Sequence, residues 1–233
     1  MLRLAVIVSL VAACSACGDD GDTPSDATPV VDIDNGSCGD QLRFTGEYVD
    51  WDNDETFCGI FEATFQVQGD GAMDSTAPNG RFDMCIDGSD AITLVDITVS
   101  PNNSACTNPT SSYSLGGIAV ANAATLRAGG FFSARNFTAA RQATVGFTPD
   151  AAKGHVFVHV DGDNRTIAVT GNHDAPQANA TTTWAAGDTG HEVFFPNVDP
   201  GMVTISATGG NVVGTGQVIV QANKITYVSV KSL

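Results

Sequence analysis

Positive charge is scarce in this 233-residue chain, where ten Lys and Arg face 26 Asp and Glu for a formal net charge of −16. The cations stand singly (Arg43, Arg81, Arg127, Arg135, Arg141, Lys153, Arg165, Lys224, Lys231), so no basic cluster of the kind a phosphate backbone requires is present, and nucleic acid is not an expected partner. The same repulsion disfavours an anionic membrane surface. Long apolar runs are also missing: the run that opens the chain, Leu4 to Ala13, falls well short of the roughly 20 residues that cross a bilayer as a helix. No G-x-S-x-G, H-E-x-x-H, P-loop or dinucleotide fingerprint occurs, which argues against an enzyme and leaves no cofactor to expect. Helix-rich composition is lacking as well. With 25 glycines, nine prolines and 15% charged residues, the chain suits a turn-rich β protein.

What is there begins with an address. Arg3 precedes the apolar run, which ends in Val11-Ala12-Ala13-Cys14, small residues leading into a cysteine. The pattern reads as an export signal over residues 1–17, and it resembles the lipobox of bacterial lipoproteins. That resemblance implies a lipid on Cys14, which has Val at minus three and Ala at minus one; Cys17 competes but would need Cys14 at minus three. Cleavage at Cys17 would leave an even set of cysteines. Ordinary secretion without a lipid is the alternative. Diacyl and amide-linked chains bury methylenes worth about 0.8 kcal/mol each, enough for stable anchoring. The implied location is the cell envelope, at the outer membrane or cell surface, with the membrane as a partner through the lipid.

Residues 18–36 hold six aspartates, two prolines, no base and almost nothing apolar. Such a segment cannot bury enough surface to offset the entropy of ordering, so it is expected to be a disordered, extended acidic tether. From Gln41 the pattern changes to period two. Leu42, Phe44, Gly46 and Tyr48 alternate with polar neighbours, as do Ala63, Phe65 and Val67, and Phe82, Met84 and Ile86. Each spacing predicts a half-buried strand, with turns at Gly69-Asp70-Gly71 and Pro78-Asn79-Gly80. Ala91 to Val99 is a further strand. Residues 101–150 read as a connecting segment: Tyr113 to Val120 fits a strand, Ala119 to Ala128 a strand or a short glycine-capped helix, and Ser133 to Thr144 a second helix or irregular chain. Strands return at Gly154–Val160, Ile167–Thr170, Val193–Phe195, Gly201–Ala207, Gly216–Gln221 and Ile225–Val230. Short strands and turns at this spacing predict a sandwich.

Thr76-Ala77-Pro78-Asn79-Gly80-Arg81-Phe82 resembles the T-x-x-N-G-x-F turn and strand of carboxypeptidase regulatory-like domains, and Phe194 to Ile205 is similar to their aromatic, Asn-Val, Pro-Gly segment, with Val218 to Val230 like their closing hairpin. The resemblance implies prealbumin (transthyretin-like) β-sandwiches with no peptidase chemistry. The expected organisation is all-β: two antiparallel sandwich modules, 37–100 and 151–233, joined by 101–150. A single sandwich assembled from both halves, with the middle as an insertion, is the alternative.

Cys38, Cys58, Cys85 and Cys106 lie in the first module of an exported chain and predict two disulfides. Of three pairings, the sequential one, Cys38 with Cys58 and Cys85 with Cys106, closes loops of 20 and 21 positions, each worth about 3 kcal/mol. Metal sites are not expected. Asp50, Asp52 and Asp54 resemble the opening of a calcium loop, but Glu55 stands in place of the turn glycine and Phe61 in place of the bidentate acid, so a solvated loop is expected. His155 and His159 share a strand face about 13 Å apart, too far to chelate one ion, and are expected on a polar face. His173-Asp174 and His191-Glu192 sit in glycine-rich turns. Trp51 and Trp184 offer flat apolar faces for stacking on sugar rings, although packing is the commoner use of indole.

The reading that follows is a non-catalytic, lipid-anchored scaffold, structural, adhesive or binding, whose partner is a cell-surface glycan or protein. A carbohydrate-binding module and a metal-dependent enzyme on the same fold are the alternatives.

Overall fold

The computed structural model describes residues 38–50, 59–99, 116–136, 147–179 and 184–233, all within one compact unit, 33–233. The leader, Cys14, the acidic segment 18–36, Trp51, Cys58 and Cys106 lie outside the described residues. In chain order the elements are β1 (Leu42–Asp50), β2 (Thr64–Val67), β3 (Met73–Ser75), β4 (Arg81–Ile86), β5 (Ile92–Thr98), β6 (Gly116–Asn122), the helix α1 (Ala123–Arg127), β7 (Phe132–Asn136), β8 (Gly154–Asp161), β9 (Arg165–Val169), β10 (Gln177–Asn179), β11 (Trp184–Ala186), β12 (Thr189–Gly190), β13 (Glu192–Val198), β14 (Gly201–Thr208), β15 (Val212–Val213), β16 (Gly216–Val220) and β17 (Lys224–Ser232). The protein is all-β, with one short helix among the described residues.

Three sheets stack. The central one runs β11-β10-β13-β8-β17-β6-β5-β2-β3, with β15 also on β17; a three-stranded sheet, β4-β1-β7, covers one face and a four-stranded sheet, β12-β9-β14-β16, the other. The division follows side-chain alternation. Phe157, Phe194, Ile225 and Tyr227 pack with Phe44, Tyr48, Phe82 and Phe132 of the three-stranded sheet. Val156, Val158, Phe195, Val228 and Val230, one position away on the same strands, pack with Ile167, Val203, Ile205 and Val218 of the four-stranded sheet. Strands β8, β13 and β17 are therefore buried on both faces, which is why they read as continuous apolar runs.

The sheets depart from expectation in three respects. The chain does not part at 101–150, because β6, inside that expected connector, pairs with β5 on one side and β17 on the other and so carries one sheet through both halves. Nor is the pairing purely antiparallel: β17 is parallel to β6 and to β8, and β1 is parallel to β7. The segment Ser133–Asn136, expected as helix or irregular chain, belongs to strand β7. Both readings of Ala119–Ala128 hold in sequence, since β6 ends at Asn122, whose side chain accepts from the Ala124 and Thr125 amides and caps α1, and Gly129 closes the turn at φ 69°.

The turn at residues 76–82 explains its own composition. Thr76 is buried, donating its hydroxyl to the Ile60 carbonyl and accepting from the Ala63 amide, while Asn79 accepts from the Arg81 amide. Gly80 sits at φ 77°, and a Cβ there would lie 2.4 Å from the Tyr48 carbonyl, so only glycine fits. Phe82 stacks on Phe65 at 4.0 Å.

The described disulfide is Cys38–Cys85, which overturns the sequential pairing. Register and a turn decide it: Arg43 faces Cys85 across the β1–β4 ladder, and the turn in which the Gln41 amide donates to the Cys38 carbonyl folds the entering chain back, which leaves the Cys38 and Cys85 Cα atoms 5.4 Å apart.

Candidate functional site

Four strand termini converge at one end of the stack. Asp50, the last residue of β1, is in register with Asn136, the last of β7; Ile97, near the end of β5, faces Gly117, near the start of β6. Along β1, Phe44 lines a small cavity with Ala121, Asn122 and Ser229, whereas Tyr48 contacts Phe65 and Tyr227. The direction from Phe44 to Tyr48 thus leads toward Gly117 and Ile97, and Cys38–Cys85 occupies the opposite end. Sequence segments 51–58, 100–115 and 137–146 continue from these termini.

The interior at this end is polar. Asp50 and Asn136 are on the core face of their strands and essentially fully buried, Asn136 at 0% exposure. Among the described residues neither the amide nitrogen nor the amide oxygen of Asn136 has a hydrogen-bond partner. The expectation of a solvated loop fails for Asp50, because alternation along β1 carries it inward with Phe44 and Tyr48. Beneath this pair the Tyr227 hydroxyl, its ionisation pushed up by burial, donates to the Arg135 carbonyl at 2.9 Å.

His155 lies at the same end, in register with Ile225, which faces Gly117. It is not a polar-face residue. Its ring is buried, lies near-parallel to Phe194 and meets Phe147 at 5.5 Å, and burial pulls its pKa down to about 4. Nearby, Lys153 pairs with Asp199, which also accepts from Asn172. That contact raises the Lys153 pKa and lowers that of Asp199.

A second polar row crosses the central sheet about four residues, or roughly 13 Å, farther along the strands. Trp184, Asn179, Glu192, His159 and Ser229 are in register on five adjacent strands and share one face. Glu192 is held by Arg135 at 2.5 Å and by the Asn179 amide at 3.3 Å. The His159 Nδ1, the Asn179 side-chain oxygen and the Ser229 hydroxyl are buried and have no partner among the described residues, and burial lowers the His159 pKa to about 4. His159 too is turned inward, facing the three-stranded sheet. Trp184 is half-buried and packs toward Phe157 at 6.2 Å, the structural use of indole.

The structure therefore does not bring Trp184 and Asp50, the residue before Trp51, into one site. His173 packs edge-on against Phe195, on the opposite face of β13 from Glu192, and His191 is exposed. Among the described residues no group of three or more His, Cys, Asp or Glu is placed to hold a metal ion, and no helix is long and apolar enough to cross a membrane. The sequence marks Asp50 within a calcium-like acidic run and Glu192 beside His191 but does not show that either is buried, and it does not mark Asn136; the nearest signal is a polar residue at an inward position of an alternating strand.

No family model matches the chain, and no curated protein matches it. Among solved structures, it is similar at 11% identity and TM-score 0.23 to the Bacillus anthracis TIE protein, over 82% of this chain. The chain spans about a third of that protein's length, 34%.

Proposed function

We propose that this chain is a non-catalytic display scaffold of the cell envelope, anchored through a lipid on Cys14, held off the membrane by the acidic segment 18–36, and presenting the Asp50–Asn136 end of its sandwich to a surface glycan or protein. The observation that carries this reading is the opposition of ends: the chain enters at Cys38, while Asp50, Val99, Gly116 and Asn136 mark the far end, with β1 running between them. Loops on a rigid β-scaffold are the usual place for recognition. The segments that continue from those strands bring Trp51, Tyr113 and a run of Asn, Ser and Thr, a composition suited to adaptable polar contacts around aromatic anchors. The likeness to carboxypeptidase regulatory-like domains supports the non-catalytic part, and the local work done by Thr76, Asn79, Gly80 and Phe82 is consistent with it.

The reading is tested in two steps. Cys14→Ser is expected to move the protein from the membrane fraction to the soluble one and to abolish fatty-acid labelling; retained labelling would shift the anchor to Cys17. On a glycan array and in a pull-down from intact cells, Trp51→Ala is expected to remove binding that Trp184→Phe leaves intact. Binding lost with Trp184 alone would place recognition on the second polar row and end the loop-end reading.

A further inference from the structure

Asn197 ties three stretches of chain together from an unusual backbone conformation. It lies in the left-handed region at φ 51°, where β13 departs from regular pairing with β8 between Phe195 and Val198. Its side-chain oxygen accepts from the Asp150 amide at 2.9 Å, and its side-chain nitrogen donates to the Thr148 carbonyl at 2.9 Å and to Asp174 Oδ2 at 2.6 Å. Its own backbone N–H donates to His155 Nδ1 at 3.1 Å. A left-handed asparagine with its side chain spent on two neighbouring segments is fixed in orientation, so its N–H has one acceptor to aim at, and that acceptor is an imidazole nitrogen.

We infer that His155 and Asn197 form an acid-opened latch at the loop end. With Nδ1 unprotonated the bond closes, seating Phe147 against His155 and Phe194 and pinning 147–150 and 172–174 to the end of β13. A proton on Nδ1 turns the acceptor into a donor, places two N–H groups face to face, and expels Asn197 together with the segments it holds. The opposing carboxylate is already in place: Asp174, bonded to the Asn197 amide, is the charge that favours the protonated ring.

The other charged groups around the ring do not change this sense. From the segment before β8 come Asp150 and Lys153; from the turn after β13 comes Asp199, paired with Lys153; from β17 comes Lys224, paired with Asp96; and His173 adjoins Asp174. Closed, the ring titrates near 4 and, released to water, near 6.5. Opening is therefore favoured about 20-fold at pH 5 and on the order of 100-fold at pH 4 relative to pH 7. The latch lies at the same end of the stack as Asp50 and Asn136, the end that the display reading presents, but its operation does not depend on that reading.

Amide hydrogen exchange on the folded protein tests it. Protection factors for the Asn197, Asp150 and Asp174 amides are expected to fall at least tenfold from pH 7 to pH 4.5, while the Ile167 amide, bonded to the Asp188 carbonyl on the opposite sheet, keeps its protection. His155→Gln retains an acceptor that does not titrate and is expected to hold the three amides closed across the range. His155→Phe keeps a ring for packing without an acceptor and is expected to leave them open at both pH values. Equal loss at Ile167 in the wild type, or an unchanged acid response in His155→Gln, overturns the latch.

Discussion

Replacing both Cys38 and Cys85 with Ser removes a link across 47 positions of sequence. In the chain-entropy description, closing a loop of that length restricts the unfolded chain by about 4 kcal/mol, a large share of the 5–15 kcal/mol that holds a typical domain together. The full effect is expected only when no other crosslink spans the same region. With Cys38 and Cys85 joined, Cys58 and Cys106 are the remaining pair of the four, and a link between them would interleave with the first, since position 58 falls inside the 38–85 loop and 106 outside it. Cys38→Ser/Cys85→Ser is thus expected to lose about 2–3 kcal/mol in otherwise wild-type protein and nearer 4 in a Cys58→Ser/Cys106→Ser background. Urea unfolding gives both numbers, with a steeper m-value for the less crosslinked chains, whose unfolded states expose more surface. Non-reducing peptide mapping that joins Cys38 to Cys58, or a loss below about 1 kcal/mol in the background lacking the second pair, would refute the register argument.

Breaking the buried Arg135–Glu192 pair by Arg135→Met strands a carboxylate and is expected to cost about 3 kcal/mol, much of it recovered in Arg135→Met/Glu192→Met, as a double-mutant cycle in urea will measure. Tyr227→Phe removes a buried hydroxyl bond to the Arg135 carbonyl and is expected to cost 1–2 kcal/mol by the same assay. Because His155 and His159 titrate near 4 in the fold and 6.5 outside it, the unfolded chain binds protons first as pH falls. Stability is therefore expected to be fully present above about pH 6.5 and to decline down to pH 4, by about 3 kcal/mol for His155 and less for the half-buried His159, and a flat urea midpoint over that window would contradict the assignment. Residues 151–233 expressed alone would uncover Phe157, Phe194, Ile225 and Tyr227 at about 2 kcal/mol each and are expected to aggregate or bind a hydrophobic dye, whereas the full chain does neither.

Period-two alternation located β1, β2 and β4 with the correct inward faces, because these strands have one buried side and one more exposed one, whereas β5 was located as an apolar run without a face. It was silent on β3, β10, β11, β12 and β15, which are two or three residues long and owe their pairing to longer neighbours. The domain boundary was misread for a physical reason: β6 is built from Gly, Ala, Val and Ile, a composition equally suited to a linker helix, and only its pairing with β17 reveals it as the strand that joins the halves. His155 and His159 looked solvent-facing because polar residues at alternate positions normally are, but a third layer covers that face. Disulfide pairing was illegible since register, set by tertiary contacts, outweighed loop length. Asn197 lies within the Pro-Gly segment that carried the family resemblance, yet its role in binding three segments depends on residues 47 positions apart and leaves no local trace.

The place of β17 sets the order in which this fold can close. Among the described residues it comes last in chain order, yet it sits in the middle of the central sheet with parallel neighbours on both sides, matching five residues of β6 and seven of β8. Parallel neighbours cannot be joined by a tight turn, and both ladders span long stretches of sequence, so their loop-closure cost falls before any contact returns it. Until β17 docks, β6 and β8 each have one unpaired edge and the Phe157 face of β8 is only partly covered. The two halves of the central sheet therefore gain little by closing before β17 docks between them.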